Sequence, residues 1–317
     1  MAKIDISVVV PLYNEQDNLP ILHNEIRNAM RGIRKTYEII FVDDGSTDGS
    51  YGELEKIQKA GRLVRIIKFR RNFGQSAAIN AGFSHSKGDI VVVMDADLQN
   101  DPKDIPRLLE KLSEGYDAVS GWRFARNDTF SKRFFSRISN WFHKKLTGLE
   151  IHDSGCSLKA YRRDSIRGIS LFGEMHRFIP ALLDAQGFKI GELKISHRGR
   201  KYGKTKYGVS RLVHGFLDLI YIKFSTKYST RPLHFFGYLG IIPLAFGIVI
   251  GTVKVIINVM LLLDDRPITA SPLLLFSVFL VIVGILFIMF GFLAEMNIRK
   301  ANYQSDKQER YIEKILG

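Results

Sequence analysis

Short hydrophobic runs alternate with longer helical stretches through the first hundred residues of the chain. The short runs are rich in Val, Ile and Phe and predict strands buried on both faces, at residues 6–10, 38–42, 64–69 and 90–94. The longer stretches predict helices at residues 19–31, 49–60, 74–85 and 102–114. This βαβα order predicts an α/β domain with a parallel, doubly wound sheet, whose ligands bind beyond the carboxyl ends of the strands.

Two long apolar runs dominate the last third of the chain. Residues 233–253 carry no charge, the apolar character resumes after Lys254 as far as Leu263, and residues 268–294 are also free of charge. Each run exceeds the roughly 20 residues that a helix needs to cross a bilayer. Buried core helices are the alternative, but apolar runs of this length seldom serve as soluble core. We therefore expect two transmembrane helices.

Two amphipathic, basic segments precede the apolar runs, at residues 130–146 and 209–224. Both could lie in the bilayer interface or pack on the sheet as ordinary helices, and the position of 209–224 before a span favours the interface. The expected organisation is a catalytic domain over 1–208, a juxtamembrane helix and linker over 209–232, a transmembrane hairpin over 233–294 and a tail over 295–317.

The positive charge is concentrated before the apolar runs. The chain has 46 Lys and Arg residues and 32 Asp and Glu residues. Residues 233–317 hold 7 of the basic and 6 of the acidic residues, so 39 basic and 26 acidic residues lie within residues 1–232. This excess favours anionic partners, and beside two membrane helices we expect phosphorylated small molecules or acidic lipid rather than nucleic acid. The single cysteine, Cys156, excludes an intrachain disulfide and a thiolate metal cluster.

The charges that flank the apolar runs predict their orientation. Three basic residues lie within 223–231 and two at 299–300, whereas the intervening loop at 264–267 is net negative. Because cytoplasmic loops are enriched in Lys and Arg, both termini are expected in the cytoplasm.

Carboxylates follow two of the predicted strands. Asp43 and Asp44 follow the second strand and suit the donors of a base or the hydroxyls of a ribose. A turn in which Asp48 caps the next helix is the alternative, but two acids before that turn exceed what a cap needs. Asp95 and Asp97 follow the fourth strand, and alternation puts both on the same side of the chain. Two carboxylates so placed can hold a hard divalent cation together with water and substrate phosphates.

Several motifs resemble, in order and spacing, those of the family 2 glycosyltransferases of the A-type nucleotide-sugar fold. They are Pro11-Leu12-Tyr13-Asn14-Glu15, Asp43-Asp44-Gly45-Ser46-Thr47-Asp48-Gly49, Arg71-Asn72-Phe73-Gly74 and Asp95-Ala96-Asp97-Leu98-Gln99. Residues 153–157 and 200–207 resemble elements of the dolichyl-phosphate mannose synthase and bactoprenol glucosyltransferase group, with Thr205 where Ser is usual. The resemblance covers about residues 4–230, and the two spans fit the bactoprenol branch.

The resemblance implies a Rossmann-like catalytic domain with a divalent metal, Mg²⁺ or Mn²⁺, held by Asp97 with Asp95 beside it. It also implies a set of residues that bind the nucleotide sugar: Pro11, Tyr13, Glu15, Asp43, Asp44, Arg71, Gly74, Asp95 and Gln99. The family inverts by single displacement, so no covalent enzyme intermediate is expected.

A lipid phosphate acceptor needs cations more than it needs a base, because its second pKa near 6 leaves it largely a dianion at neutral pH. The candidates for this cationic clamp are Arg123, Arg126, Arg133, Arg200 and Lys204. Asp153 is the first candidate for a base or orienting acid and Glu174 the second, which makes Asp153, Arg200 and Asp97 the expected catalytic residues. His197 and Arg198 are as well explained by structural roles.

The expected reaction transfers glucose from UDP-glucose to undecaprenyl phosphate in a bacterial inner membrane. The same reaction with a UDP-hexosamine, UDP-galactose, UDP-aminopentose or GDP-mannose donor is the alternative. A non-catalytic membrane protein with a basic domain that binds nucleic acid or lipid is the more distant one. A separate flippase is expected as a partner because two spans are few for translocation, and a homo-oligomer is possible.

Overall fold

The computed structural model describes residues 3–61, 63–124, 149, 151–171, 173–199, 224, 228, 231–263 and 272–304. The chain divides into two units, Met1–Ile222 and Lys223–Gly317. The amphipathic segments expected at 130–146 and 209–224 and the loop at 264–267 lie outside the described residues, apart from Phe224. The expected domain limits stay a prediction.

The first unit alternates strands and helices as the sequence predicts, with small shifts at their ends. Its first elements are β1 (Ile6–Leu12), α1 (Leu19–Arg31), β2 (Tyr37–Asp43), α2 (Ser50–Ala60), β3 (Val64–Lys68), α3 (Gln75–His85) and β4 (Ile90–Val93). The helix expected at 102–114 is a short 3₁₀ turn, Pro102–Asp104, followed by α4 (Ile105–Ser113). The later elements are β5 (Ala118–Arg123), β6 (Lys159–Arg162), α5 (Arg163–Ile166), a 3₁₀ turn (Met175–Phe178), α6 (Ile179–Asp184) and β7 (Ile190–Ile195).

The strands form one seven-stranded sheet in the order β3-β2-β1-β4-β6-β5-β7. The expectation of a parallel sheet is wrong in one respect: β6 runs antiparallel to both β4 and β5, so the sheet is mixed. β6 has only four residues, two of them charged, and it lacks the apolar run that marks β1, β2 and β4. The expectation of burial on both faces also fails for β3, which lies at the sheet edge and buries only Val64.

Side-chain alternation along the central strands builds two cores, one on each face of the sheet. Val8 and Val10 of β1 pack on one side with Phe41 of β2 and the apolar faces of α1, α2 and α4. Their neighbour Val9 packs on the other side with residues of β2 and β4, α3 and α6. Each fully buried Val, Ile or Phe contributes about 1.5–3 kcal/mol, which accounts for the Val- and Ile-rich sequence of these strands.

The register brings the carboxyl ends of the parallel strands to one edge. Leu12 pairs with Asp43 and Asp43 with Lys68, while Val9 pairs with Val93 at the end of β4. The loops that leave β1, β2 and β4 therefore emerge side by side, where ligands bind in doubly wound folds.

The second unit contains two long helices, α7 (Pro232–Leu263) and α8 (Pro272–Gln304). Both are long and apolar enough to cross a membrane. Most of their apolar side chains are exposed, as for Phe246, which is 62% exposed. Glycines let the helices approach closely: a Cβ on Gly240 would lie 2.6 Å from the carbonyl oxygen of Gly284. An exposed apolar surface of this extent is typical of a membrane hairpin and not of a soluble core.

Candidate active site

The loops after β1 and β2 are held together by hydrogen bonds. Asn14, in the left-handed region with φ 57°, donates its N–H to Ser46 Oγ at 2.9 Å and accepts the N–H of Thr47 at 2.8 Å. The N–H of Glu15 donates to Ser50 Oγ at 2.9 Å. These contacts join the first two sequence motifs into one wall of the site, with Pro11 in β1 and Tyr13 immediately after it.

Asp43 offers a buried acceptor at this wall. The side chain is fully buried, and its Oδ1 accepts the N–H of Ser46 at 2.8 Å. Its Oδ2 is also buried and accepts no hydrogen bond from the residues that the structure describes. Burying a carboxylate oxygen without a donor is costly, so Asp43 Oδ2 is suited to an N–H or O–H that a ligand brings.

Asp44 organises the neighbouring 71–74 segment. Its carboxylate accepts the N–H of Phe73 at 2.7 Å and that of Gly74 at 2.9 Å, and burial raises its pKa. The segment also passes close to Gly45, where φ is 71° and a Cβ would lie 2.6 Å from the Cα of Arg71. The guanidinium of Arg71 covers the ring of Phe73 at 4.4 Å. Asp44 thus has a positioning role here, and its expected contact with the nucleotide stays a prediction.

Asp95 and Asp97 lie directly beyond β4. Asp95 is half-buried and accepts a hydrogen bond from Gln75 Nε2 at 2.6 Å; Asp97 is buried and accepts the N–H of Gln99 at 3.1 Å. Leu98, between Asp97 and Gln99, has φ 60°. Burial and then the charge of Asp97 raise the pKa of Asp95 to about 6. Two carboxylates held together in a mostly buried site are stabilised by a cation.

This pair fits Mg²⁺ or Mn²⁺ as far as its donor chemistry goes. Mg²⁺ is commonly bound through one or two carboxylates, with waters and substrate phosphates completing its shell. Among the described residues no cluster of three or more His, Cys, Asp or Glu side chains could hold a metal alone. A cation held by Asp95 and Asp97 would have further positions open to oxygens of water and substrate.

Sequence reasoning missed three residues that hold this pair. Gln75, the first residue of α3, donates to Asp95, while Asn100 Nδ2 donates to Ser157 Oγ at 2.7 Å and Ser157 hydrogen-bonds to Asp95. The available signals were the polar start of α3 after Gly74, whose φ is 94°, and the Ser at the end of the 153–157 motif.

Arg123 and Asp153 form a bidentate ion pair. Arg123 Nε lies 2.6 Å from Asp153 Oδ2, and Nη2 lies 2.8 Å from Oδ1. The backbone N–H of Arg123 donates to the same carboxylate at 3.3 Å. The side chains are only 14% and 8% exposed. A carboxylate occupied by three donors is a poor proton acceptor, and a guanidinium already neutralised by it is a weaker phosphate clamp.

The remaining candidates divide into three groups. Arg126, Arg133, Arg200 and Lys204 lie outside the described residues. Glu174 pairs with Arg177 at 3.1 Å, and Glu15 accepts the side-chain N–H of Asn18. Arg198 is a structural residue: it donates to both oxygens of Glu25, pairs with Asp101, and its N–H donates to the carbonyl of Gln99 at 2.8 Å. The chain that leads to Arg200 is thereby held beside the loop that follows Asp97.

Comparison with known proteins agrees with the motifs. A model of Glycosyl transferase family 2 matches residues 7–169. A dodecaprenyl-phosphate galacturonate synthase from Rhizobium johnstonii is 38% identical over 98% of this chain and 92% of its own length. An undecaprenyl-phosphate 4-deoxy-4-formamido-L-arabinose transferase from Edwardsiella ictaluri is 34% identical over 96% of this chain and 97% of its own.

Solved structures share the fold over part of this chain. A glucosyl-3-phosphoglycerate synthase from Mycobacterium tuberculosis superimposes with a TM-score of 0.54 at 19% identity, over 70% of this chain and 80% of that one. A mannosyltransferase from Pyrobaculum calidifontis, in complex with GDP-Man and Mn²⁺, gives 0.53 at 21% identity, over 70% and 65%. The expected A-type fold and enzyme class are both confirmed. The chain belongs to glycosyl transferase family 2 and is a glycosyltransferase.

Proposed function

We propose that this enzyme transfers a sugar from a nucleoside-diphosphate sugar to a polyisoprenyl phosphate at a membrane. The observation that carries the proposal is that Asp43, Asp95 and Asp97 lie at the same edge of the sheet, in a chain with two helices long enough to cross a membrane. Relatives that match nearly the whole chain, including the part that holds both helices, are named for polyprenyl-phosphate acceptors.

The donor would bind along the wall formed by the first two loops. Asp43 Oδ2 would accept an N–H of the base, and Asp44 would keep the 71–74 segment, with Arg71 and Phe73, in place beside it. Asp97, with Asp95, would hold Mg²⁺ or Mn²⁺ against the diphosphate. A bound divalent cation supplies electrostatic stabilisation of the charge that gathers on the leaving nucleoside diphosphate.

The acceptor would attack as a preformed dianion. The bidentate contact with Arg123 favours an orienting role for Asp153 over that of a general base. Arg200 and Lys204, with Arg126 and Arg133, are the proposed cations that draw the two anionic substrates together. Direct displacement at the anomeric carbon would invert its configuration, through a transition state with oxocarbenium character.

The basic first unit and both termini would face the cytoplasm of a bacterial cell, where nucleotide sugars are made. Two helices would anchor the enzyme in the inner membrane, and a separate translocase would move the sugar lipid across it. A homo-oligomer is compatible with this arrangement. The resemblance and the relatives indicate different sugars. The resemblance to the bactoprenol branch favours glucose from UDP-glucose, while the relatives are named for galacturonate and 4-deoxy-4-formamido-L-arabinose.

The test is a donor panel with the full-length enzyme. Membranes that contain it are incubated with undecaprenyl phosphate and labelled UDP-glucose, UDP-galactose, UDP-hexosamines, UDP-galacturonate, UDP-4-deoxy-4-formamido-L-arabinose or GDP-mannose, and the lipid product is identified by mass spectrometry. One donor should give a polyprenyl-phosphate sugar in the presence of Mg²⁺ or Mn²⁺. If no donor labels lipid while one labels a water-soluble acceptor, the proposed acceptor is wrong.

A further inference from the structure

Lys159 is a buried cation close to the active site that the proposed chemistry does not use. It lies in β6 with 2% of its surface exposed. Its ammonium donates to the carbonyl oxygens of Ser154 at 3.2 Å and Arg177 at 3.3 Å. None of the described carboxylates forms a salt bridge with it, and its hydrogen-bond acceptors among the described residues are these two backbone carbonyls.

The two carbonyls belong to different parts of the site. Ser154 follows Asp153, the partner of Arg123, in the loop that ends at Ser157 beside Asp95. Arg177 lies in the Met175–Phe178 turn, next to His176. Lys159 is therefore the bridge between the 153–157 loop and this turn.

The same turn is tied to the start of α3. His176 Nδ1 lies 2.9 Å from Ser76 Oγ, and the N–H of His176 donates to that oxygen at 3.2 Å. Ser76 follows Gln75, whose side chain donates to Asp95. Hydrogen bonds and chain neighbours thus connect Asp153, through Lys159 and His176, to Gln75, which orients Asp95.

A charge in this position carries a desolvation cost that a purely structural core would avoid. A protein in which apolar residues of similar volume replace a buried charge is often as stable as the original or more stable. A buried polar group is therefore best explained where it holds the surrounding segments in one arrangement. Burial lowers the pKa of Lys159 to about 8. The charged or titratable groups near it are Cys156, Asp153, Arg123, Arg177 and His176.

We infer that Lys159 is a positioning residue, whose ammonium holds the 153–157 loop and the Met175–Phe178 turn in the one arrangement that receives the acceptor phosphate. It touches neither substrate. The kinetic part of this inference rests on the proposed function, whereas its structural part does not.

The structural test is hydrogen–deuterium exchange of the full-length protein in lipid nanodiscs, comparing wild type with Lys159→Met. Met keeps the side-chain volume and removes the charge and the donors. Amides of residues 154–157 and 175–178 should exchange about tenfold faster or more, because two hydrogen bonds from a charged donor are lost. Lys56→Met, which removes an exposed lysine from α2, is the matched control and should leave both segments unchanged. Unchanged exchange in Lys159→Met would overturn the inference.

The kinetic test separates positioning from general destabilisation. Lys159→Met should lower kcat/KM for the acceptor by about tenfold or more. The Kd of the nucleoside diphosphate, measured without divalent metal, should stay within about twofold, since the contacts of Lys159 lead towards Asp95 and not to Asp43. Equal losses for donor and acceptor, together with faster exchange throughout the first unit, would indicate a purely structural role and contradict the inference.

The pH profile of a second variant, Lys159→Arg, tests the role of the charge even if Lys159→Met does not fold. Wild-type transfer should fall as pH rises above about 8, where Lys159 loses its proton, and Lys159→Arg should lose this alkaline decline because guanidinium stays charged. Burial raises the pKa of Cys156 to about 12 and lowers that of His176 to about 3, while the hydrogen bond and charge of Asp153 outweigh burial and raise the pKa of Arg123, so none of these three groups titrates near pH 8. An identical decline in both proteins would refute the role of the charge. If the wild type transfers no sugar to lipid, the proposed function fails and the exchange experiment still decides the inference.

Discussion

Arg123 and Asp153 show how one contact changes the roles expected of two residues. Considered as separate side chains, Arg123 is suited to binding a phosphate and Asp153 to accepting a proton. In the structure each satisfies the other, with Nε–Oδ2 and Nη2–Oδ1 distances of 2.6 and 2.8 Å. A buried pair of this kind is costly to break from one side, because the remaining charge loses its compensation. The pair is therefore best understood as a rigid part of the wall that faces the proposed acceptor site.

Breaking this pair from one side should destabilise the first unit. We expect Asp153→Asn to lower the free energy of unfolding by about 3 kcal/mol, since it leaves Arg123 mostly buried without a counter-charge. The double variant Arg123→Met with Asp153→Leu should lie closer to the wild type in stability, although inactive. Thermal unfolding followed by near-ultraviolet circular dichroism measures both. A double variant less stable than Asp153→Asn would contradict this view of the pair.

Residue-level prediction from the sequence succeeds where a side chain follows a recognisable strand. Asp43, Asp95 and Asp97 could be placed at one edge because Asp43 and Asp95 each come directly after a Val- and Ile-rich run and Asp97 lies two residues further on. Gln75 and Lys159 could not be identified in this way. Their contacts join segments 20 residues apart for Gln75 and Asp95, and 18 for Lys159 and Arg177, and no local pattern encodes that pairing.

At the scale of elements, the sheet depends on how closely its loops approach. Gly45 has φ 71°, and a Cβ there would lie 2.6 Å from the Cα and 2.8 Å from the carbonyl oxygen of Arg71. The loop after β2 and the 71–74 segment can therefore meet only at a glycine. Asp44, the neighbour of Gly45, then holds the segment through the N–H groups of Phe73 and Gly74.

Substitution of Gly45 should separate these two loops. Gly45→Ala adds backbone strain and a clash with backbone atoms, so we expect a loss of about 2 kcal/mol or more in stability and a weaker affinity for the nucleoside diphosphate. Gly52→Ala is the matched control: Gly52 lies in α2, where an added Cβ would meet no atom within 4 Å beyond its chain neighbours and the helix backbone, and Ala should stabilise that helix by about 0.5–1 kcal/mol. Thermal unfolding and nucleotide titration compare the two. Equal behaviour would show that the close approach is unimportant.

Periodicity predicted β1 to β4 and α1 to α4 because these strands are rich in Val, Ile and Phe and helices such as α1 have an apolar face, formed there by Leu19, Leu22, Ile26 and Met30. The antiparallel β6 was not predictable on the same grounds. It contains Lys159 and Arg162, and the ammonium of Lys159 is accommodated in the core by hydrogen bonds that it donates to two carbonyl oxygens. Tertiary contacts overrode the local preference there.

At the scale of the whole molecule, the uneven distribution of charge and hydrophobicity predicts membrane topology. We expect both termini in the cytoplasm and the 264–267 loop outside, because basic residues flank the apolar runs on one side only. Single cysteines in a Cys156→Ser background measure this: an impermeant reagent added to intact cells should label Asp265→Cys and spare Ser305→Cys. The reverse pattern would place the active site away from its nucleotide donor and contradict the assignment.

The central claim is most directly tested by stoichiometry in one reaction. Wild-type enzyme in nanodiscs, given undecaprenyl phosphate, Mn²⁺ and the donor found by the panel, should form one polyprenyl-phosphate sugar for each nucleoside diphosphate released, as measured by mass spectrometry. Asp97→Asn should fold normally and lose about a hundredfold or more in rate, as excess chelator should do to the wild type. Asp89→Asn, at the opposite end of β4, should stay active. Release of nucleoside diphosphate without sugar lipid, or full activity of Asp97→Asn in chelator, would contradict the account.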